Sequence, residues 1–103
     1  MAFGVGGFDW DDGNREKCQK HGVSTAEIEV LFHRPLSVFP DPAHSRTEER
    51  FIAIGTNEEG RHIFIAFTLR RRKSETLIRP ISARYMRQKE VDHYEEEAAK
   101  AKE

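Results

Sequence analysis

The chain has 103 residues, of which 37% are hydrophobic and 34% charged, with one cysteine and a formal net charge of −1. That length supports one modest core and excludes a second. The lone Cys18 excludes an internal disulfide, and no basic start followed by a long apolar run marks a leader or a membrane span, so a reducing cytoplasm is the expected compartment.

The small net charge hides a strong segregation. Residues 1–60 carry 6 Lys/Arg against 11 Asp/Glu, residues 61–89 carry 9 against 1, and residues 90–103 carry 2 against 6, so the three stretches stand at −5, +8 and −4. A stretch at +8 between acidic neighbours suits a polyanion, because affinity for phosphate comes largely from Lys and Arg displacing counterions. A solvated basic face would give the same count.

In chain order, the glycine-rich residues 1–7 read as a loose lead-in to a single domain over 8–103. After a short extended stretch at Phe8-Asp9-Trp10, Asp11 is a candidate N-cap for a polar helix to about His21, with Gly22 as its left-handed stop. Ser24 and Glu27 form an S-x-x-E capping box, Val23 and Ile28 flank it as a staple, and Ile28, Leu31 and Phe32 make one apolar stripe. This predicts a second helix over 24–33, ended by Pro35. Strands are expected at 36–39 and 51–55, separated by a polar loop. The turn 57–60 leads to a strand at 62–69, and a charged turn at 70–75 leads to another at 76–83. Within that last strand Pro80 requires an edge, a bulge or a distorted ladder. A closing helix over 86–100 would dock Val91, Tyr94 and Ala98. The fold class is therefore α+β: two N-terminal helices, an antiparallel sheet of about four strands and a C-terminal helix.

The segments Trp10-Asp11, Lys20-His21-Gly22-Val23-Ser24, Asp41-Pro42-Ala43-His44-Ser45, Glu48-Glu49-Arg50-Phe51 leading to Ile54-Gly55, Ile78-Arg79-Pro80-Ile81-Ser82-Ala83-Arg84 and residues 90–94 form an ordered series. In it the chain resembles the BrnT family over residues from about 8 to 95. The resemblance implies a toxin of a type II toxin-antitoxin pair, with a fold similar to the RelE-like ribonucleases, held inactive by a small antitoxin encoded beside it. Three positions depart from the family pattern: Cys18 stands where Asn is usual, Arg34 where Asp is common, and Pro80 where a β-branched residue is usual.

Metal-free RNA cleavage uses the 2′-hydroxyl as nucleophile. The protein must then supply a base, an acid for the leaving 5′-oxygen and cations for the charge developing at phosphorus. Arg79 and Arg84 are the first candidates for the clamp, since a guanidinium makes two hydrogen bonds to a phosphate and stays charged. They are five residues apart, so in a regular strand they point to opposite faces unless a bulge intervenes, whereas Ser82, a further catalytic candidate, shares a face with Arg84. His21, His44 and Glu49 or Glu48 are candidates for proton transfer; His21 is equally explained as a helix C-terminal cation. Lys20, Arg50, Arg61, Arg71 and Arg72 are the expected RNA-binding cations, and Tyr94 is expected to pack the closing helix. The histidines lack zinc-ligand spacing and no phosphate-loop or dinucleotide fingerprint occurs, so neither metal nor cofactor is expected.

Two function classes follow. One is an endoribonuclease toxin neutralised by a cognate ribbon-helix-helix antitoxin, touching DNA only through that complex and no membrane. The other is a non-catalytic basic module holding RNA or an acidic protein. Direct DNA reading is weaker, because the helix over 24–33 has more acid than base.

Overall fold

The computed structural model describes residues 6–101, in the order β1 (Gly7–Phe8), α1 (Asp12–Gln19), α2 (Thr25–Phe32), β2 (Ser37–Pro40), a 3-10 turn (Pro42–His44), β3 (Arg50–Thr56), β4 (His62–Arg72), β5 (Glu75–Tyr85) and α3 (Gln88–Ala101). The class is α+β, as expected. The sheet is larger than expected, with five strands in the order β1-β5-β4-β3-β2; β1 runs parallel to β5 and the other pairs are antiparallel. Two residues of extended chain carry no readable alternation, which is why the sequence does not announce β1. Tertiary hydrogen bonds define it: Gly6 N–H donates to Thr76 O at 2.9 Å and Asp9 N–H to Ile78 O at 2.8 Å. Of the expected loose lead-in, residues 1–5 lie outside the described residues, while Gly6 and Gly7 belong to this sheet edge.

Local chemistry accounts for the two N-terminal helices. Asp11 accepts from Asn14 N–H at 2.9 Å while the Asn14 side chain accepts from Asp11 N–H at 2.7 Å, a reciprocal capping box. Gly22, at φ +90°, turns the chain toward α2 in a conformation that a Cβ disfavours. Ser24 caps α2 through Glu27 N–H at 3.1 Å, but the expected reciprocal half is absent. The Glu27 carboxylate instead accepts from Tyr85 Oη at 2.9 Å and Asn57 Nδ2 at 3.0 Å, tying α2 to β5 and the β3–β4 turn.

The core lies between these helices and one sheet face. Cys18, Val23, Ile28, Leu31 and Phe32 pack against Ala53, Ile63, Ile65, Phe67, Ile78 and Ala83, all buried. Phe32 is edge-on to Phe67 at 5.2 Å between ring centres. The Gly55 of the Ile54-Gly55 pair has a packing reason, since a Cβ there would stand 3.1 Å from Leu31 Cγ, tighter than an ordinary contact, and the Leu31 side chain would have to give way. Of the residues that depart from the family pattern, Cys18 fills this core and Arg34 donates to Thr56 O at 3.0 Å.

The β4–β5 hairpin is longer than the expected strands. The charged turn shrinks to Lys73 and Ser74, with Lys73 at φ +57°, and the ladder extends to Arg72 opposite Glu75. The opposite sheet face meets α3, through Tyr94 against Ser37, Phe39 and His62; Tyr94 Oη is 2.6 Å from Ser37 Oγ, so this residue packs the closing helix as expected. No helix among the described residues is long and apolar enough to cross a membrane.

Candidate active site

The site depends on one irregularity. In the β4–β5 ladder Phe67 faces Pro80 and Ala66 faces Ser82, so Ile81 is an extra residue and forms a bulge. Burial changes parity across it: Ile78 and Pro80 are buried before the bulge, Ala83 after. Pro80, with no N–H to donate, stands where the ladder is already interrupted, and its carbonyl accepts from the buried Asn14 Nδ2 at 2.8 Å. The consequence is that Arg79, Ser82 and Arg84 share one face.

Sharing a face does not bring the two arginines together. Their β4 partners, Thr68 and Phe64, are four residues apart, about 13 Å of strand. Each arginine belongs to its own cleft.

The first cleft, of about 550 Å³, is lined by His21, Arg61, Arg84, Tyr85, Arg87 and Glu90. The end of β5 supplies Arg84 and Tyr85, the turn after α1 supplies His21, the residue just before β4 supplies Arg61, and the first turn of α3 supplies Glu90. Arg61 stacks 3.7 Å over the Tyr85 ring and Arg84 4.6 Å over Phe64, which presents both guanidinium planes in fixed orientations. Arg84 makes a two-pronged pair with Glu90 at 2.7 and 2.8 Å, and Glu90 also accepts from Arg87 N–H at 3.0 Å. The Arg84 hydrogen bonds, aided by Arg87 N–H, hold the Glu90 carboxyl down at about 2, and Glu90 in turn raises Arg84 above its ordinary value. Burial, then Glu27, pushes the Tyr85 phenol up, so Tyr85 remains a proton donor. Among the described residues the side chains of His21, Arg61 and Arg87 have no hydrogen bond or ion pair.

The second cleft, of about 430 Å³, is lined by Asp11, Gly13, Asn14, Lys17, Glu48, Arg50, Arg70, Arg79 and Ile81. Arg79, with a side chain only 19% exposed, bridges Asp11 at 2.8 Å and Asp9 at 3.6 Å. Its guanidinium and the Asn14 N–H lower the Asp11 carboxyl, the Asn14 bond being the larger cause. Glu48 pairs with Arg70 at 3.2 Å.

The remaining expected residues fall outside these clefts. Ser82 sits half-buried between them, and Lys20 lies exposed on the outer side of α1 in a shallow hollow with Lys17. Glu49 is exposed at the start of β3, next to the Arg50–Thr68 pair, and so lies at the far end of the sheet from His21 and Arg84; its neighbour Glu48 is the residue that turns into a cleft. Arg71 is exposed, Arg72 pairs with Asp9 at 3.2 Å, and His44 pairs with Asp41 at 2.9 Å at the surface. Sequence reasoning overlooked Tyr85, Arg87 and Glu90 in the first cleft and Lys17 and Arg70 in the second. A signal for Glu90 did exist: it stands three residues after Arg87, at the position from which a carboxylate reaches back to cap a helix.

A family model described as a ribonuclease toxin, BrnT, of type II toxin-antitoxin systems matches residues 10–90. The match contains every residue that lines the two clefts. No curated protein matches the chain.

Proposed function

Because the chain belongs to the BrnT family of type II toxin-antitoxin ribonuclease toxins, we propose that its Arg84 cleft is the catalytic centre and cuts RNA without a metal ion. An RNA substrate and an antitoxin partner are what membership implies. The observation that carries the assignment is the convergence of Arg61, Arg84 and Arg87 with His21 in one open cleft, where Glu90, the one carboxylate among the described residues that line it, grips Arg84 in the two-pronged manner of a phosphate.

In this reading a scissile phosphate displaces Glu90 from Arg84, and Arg61 and Arg87 share the charge that develops on its non-bridging oxygens. The RNA 2′-oxygen attacks phosphorus and gives up its proton to His21, the imidazole at the cleft wall. The P–O5′ bond breaks as the 5′-oxygen gains a proton, leaving a 2′,3′-cyclic phosphate and a 5′-hydroxyl. Tyr85, held as a phenol, is the donor nearest in chemistry to that task. Glu90 is a poor base while Arg84 keeps it ionised to such low pH.

Purified protein should cleave RNA in the presence of a chelator and leave cyclic or 3′-phosphate ends. Arg84→Ala and His21→Ala should abolish cleavage with the fold intact by circular dichroism. Intact RNA at confirmed folding would overturn the catalytic reading. Tight binding in that case would favour a non-catalytic basic module, a role consistent with the occupation of Arg84 by Glu90. The antitoxin is proposed to be a ribbon-helix-helix protein acting in the cytoplasm, through which the pair meets DNA. A short neighbouring reading frame of that class is the test, and its absence would remove the claim.

A further inference from the structure

We infer that the second cleft is a separate phosphate subsite, and that α1 and β5 together form a track for single-stranded RNA running from it to the catalytic cleft. This rests on the ribonuclease reading and extends it to the length of substrate engaged.

Three observations support it. First, the second cleft carries four cations, Lys17, Arg50, Arg70 and Arg79, against two carboxylates, Asp11 and Glu48. Arg70 and Arg79 are held by those carboxylates, which fixes their guanidiniums, while the side chains of Lys17 and Arg50 have no hydrogen bond or ion pair among the described residues. Fixed and unengaged cations side by side around an open hollow are what a phosphodiester requires. Second, the bulge at Ile81 puts Arg79, Ser82 and Arg84 on the same face, so the path between the clefts follows one strand. Ile81 and Ser82 remain partly exposed along it, and α3 leads away toward β2, where Tyr94 meets Ser37 and Phe39. Third, α1 runs alongside β5 over the same interval. Gly13 stands at the second cleft and His21, two residues past the end of α1, at the first, about 9 Å of helical rise from Gly13 to Gln19 followed by the turn, against about 13 Å of strand between Arg79 and Arg84. Duplex RNA would not follow such a path between a helix and a strand; a single strand, with rotatable bonds at every phosphate, would.

The probe is 2′-O-methyl RNA of mixed sequence, which lacks the attacking hydroxyl, so binding is read independently of cleavage. A dinucleotide and an octanucleotide are titrated by fluorescence anisotropy against wild type and against Lys17→Gln/Arg50→Gln, neither residue being in the catalytic cleft. Wild type should bind the octanucleotide more tightly than the dinucleotide. The double variant should bind the octanucleotide about tenfold more weakly and change less than about twofold for the dinucleotide. The dependence of its affinity on salt should also fall, by about 0.7 in log–log slope for each phosphate that is no longer neutralised. Equal octanucleotide binding by wild type and variant, both folded by circular dichroism, would overturn the subsite while leaving catalysis to be decided separately by the cleavage assay. A poly-glutamate peptide that binds at Lys17 and Arg50 where the octanucleotide does not would reassign the surface to an acidic protein segment, and would equally overturn the track.

Discussion

Replacing Glu90 by Gln separates the ion pair that Arg84 makes in this fold from the phosphate-binding role proposed for it. The amide has the shape of the carboxylate and can still accept from Arg87 N–H, but it removes the charge that occupies the Arg84 fork at 2.7 and 2.8 Å. Lowering of the carboxyl from 4.5 to about 2 would correspond to about 3.4 kcal/mol if none of it were screened. The two side chains are 36% and 38% exposed, so solvent reduces the stabilisation to about 1 kcal/mol. A depressed carboxyl stabilises the fold fully above its ordinary value, and this contribution fades as pH falls from about 4.5 toward about 2. Glu90→Gln should therefore be less stable than wild type by about 1 kcal/mol near neutrality, with the difference closing in acid, as read by urea unfolding across pH. Function should move the other way. Phosphate no longer competes with a carboxylate for Arg84, and the same 1 kcal/mol predicts up to about fivefold tighter binding of the 2′-O-methyl octanucleotide. A folded Glu90→Gln protein that binds RNA no better than wild type would refute the idea that Glu90 stands in the phosphate's place.

Other outcomes test the supporting structure. Asn14→Leu removes three hydrogen bonds, to Asp11 N–H, Asp9 O and Pro80 O, and leaves buried backbone groups unpaired, so the urea midpoint should fall by the equivalent of about 3 kcal/mol with an unchanged slope; a loss below about 1 kcal/mol would mean that the bulge at Ile81 does not depend on this side chain. Cys18 is fully buried, and burial pushes its thiol up to about 11. Iodoacetamide at neutral pH should accordingly label it in urea and spare it in the native protein, and native labelling at the rate of a free thiol would contradict the packing of α1.

The legibility of the fold varied with the range of the forces behind each element. The helices over 11–21 and 24–33 could be read because caps, stops and apolar stripes act within a few residues. The β3–β4 hairpin could be read for the same reason, its turn being set by Asn57 and Gly60. Glu27 shows where local reading stops: the capping box pattern is present, yet its carboxylate is drawn to Tyr85 and Asn57, which stand far along the chain. Strand β1 exists only because β5 offers it an edge.

The candidate site divides in the same way. Segregation of charge, the concentration of arginines after residue 61 and the family pattern are properties of the chain alone; the charge pattern suits a polyanion, and the family pattern identifies a ribonuclease toxin family. Pro80 announced an irregularity in β5, because a residue without an N–H cannot continue a ladder. Which way that irregularity would turn the arginines was decided by the tertiary structure. Asn14 reaching from α1 to Pro80 O accompanies a one-residue bulge at Ile81 that brings Arg79, Ser82 and Arg84 to one face, while the length of strand between them keeps Arg79 and Arg84 in separate clefts. Parity along a strand is a local property; the residue at which it breaks depends on what the strand packs against.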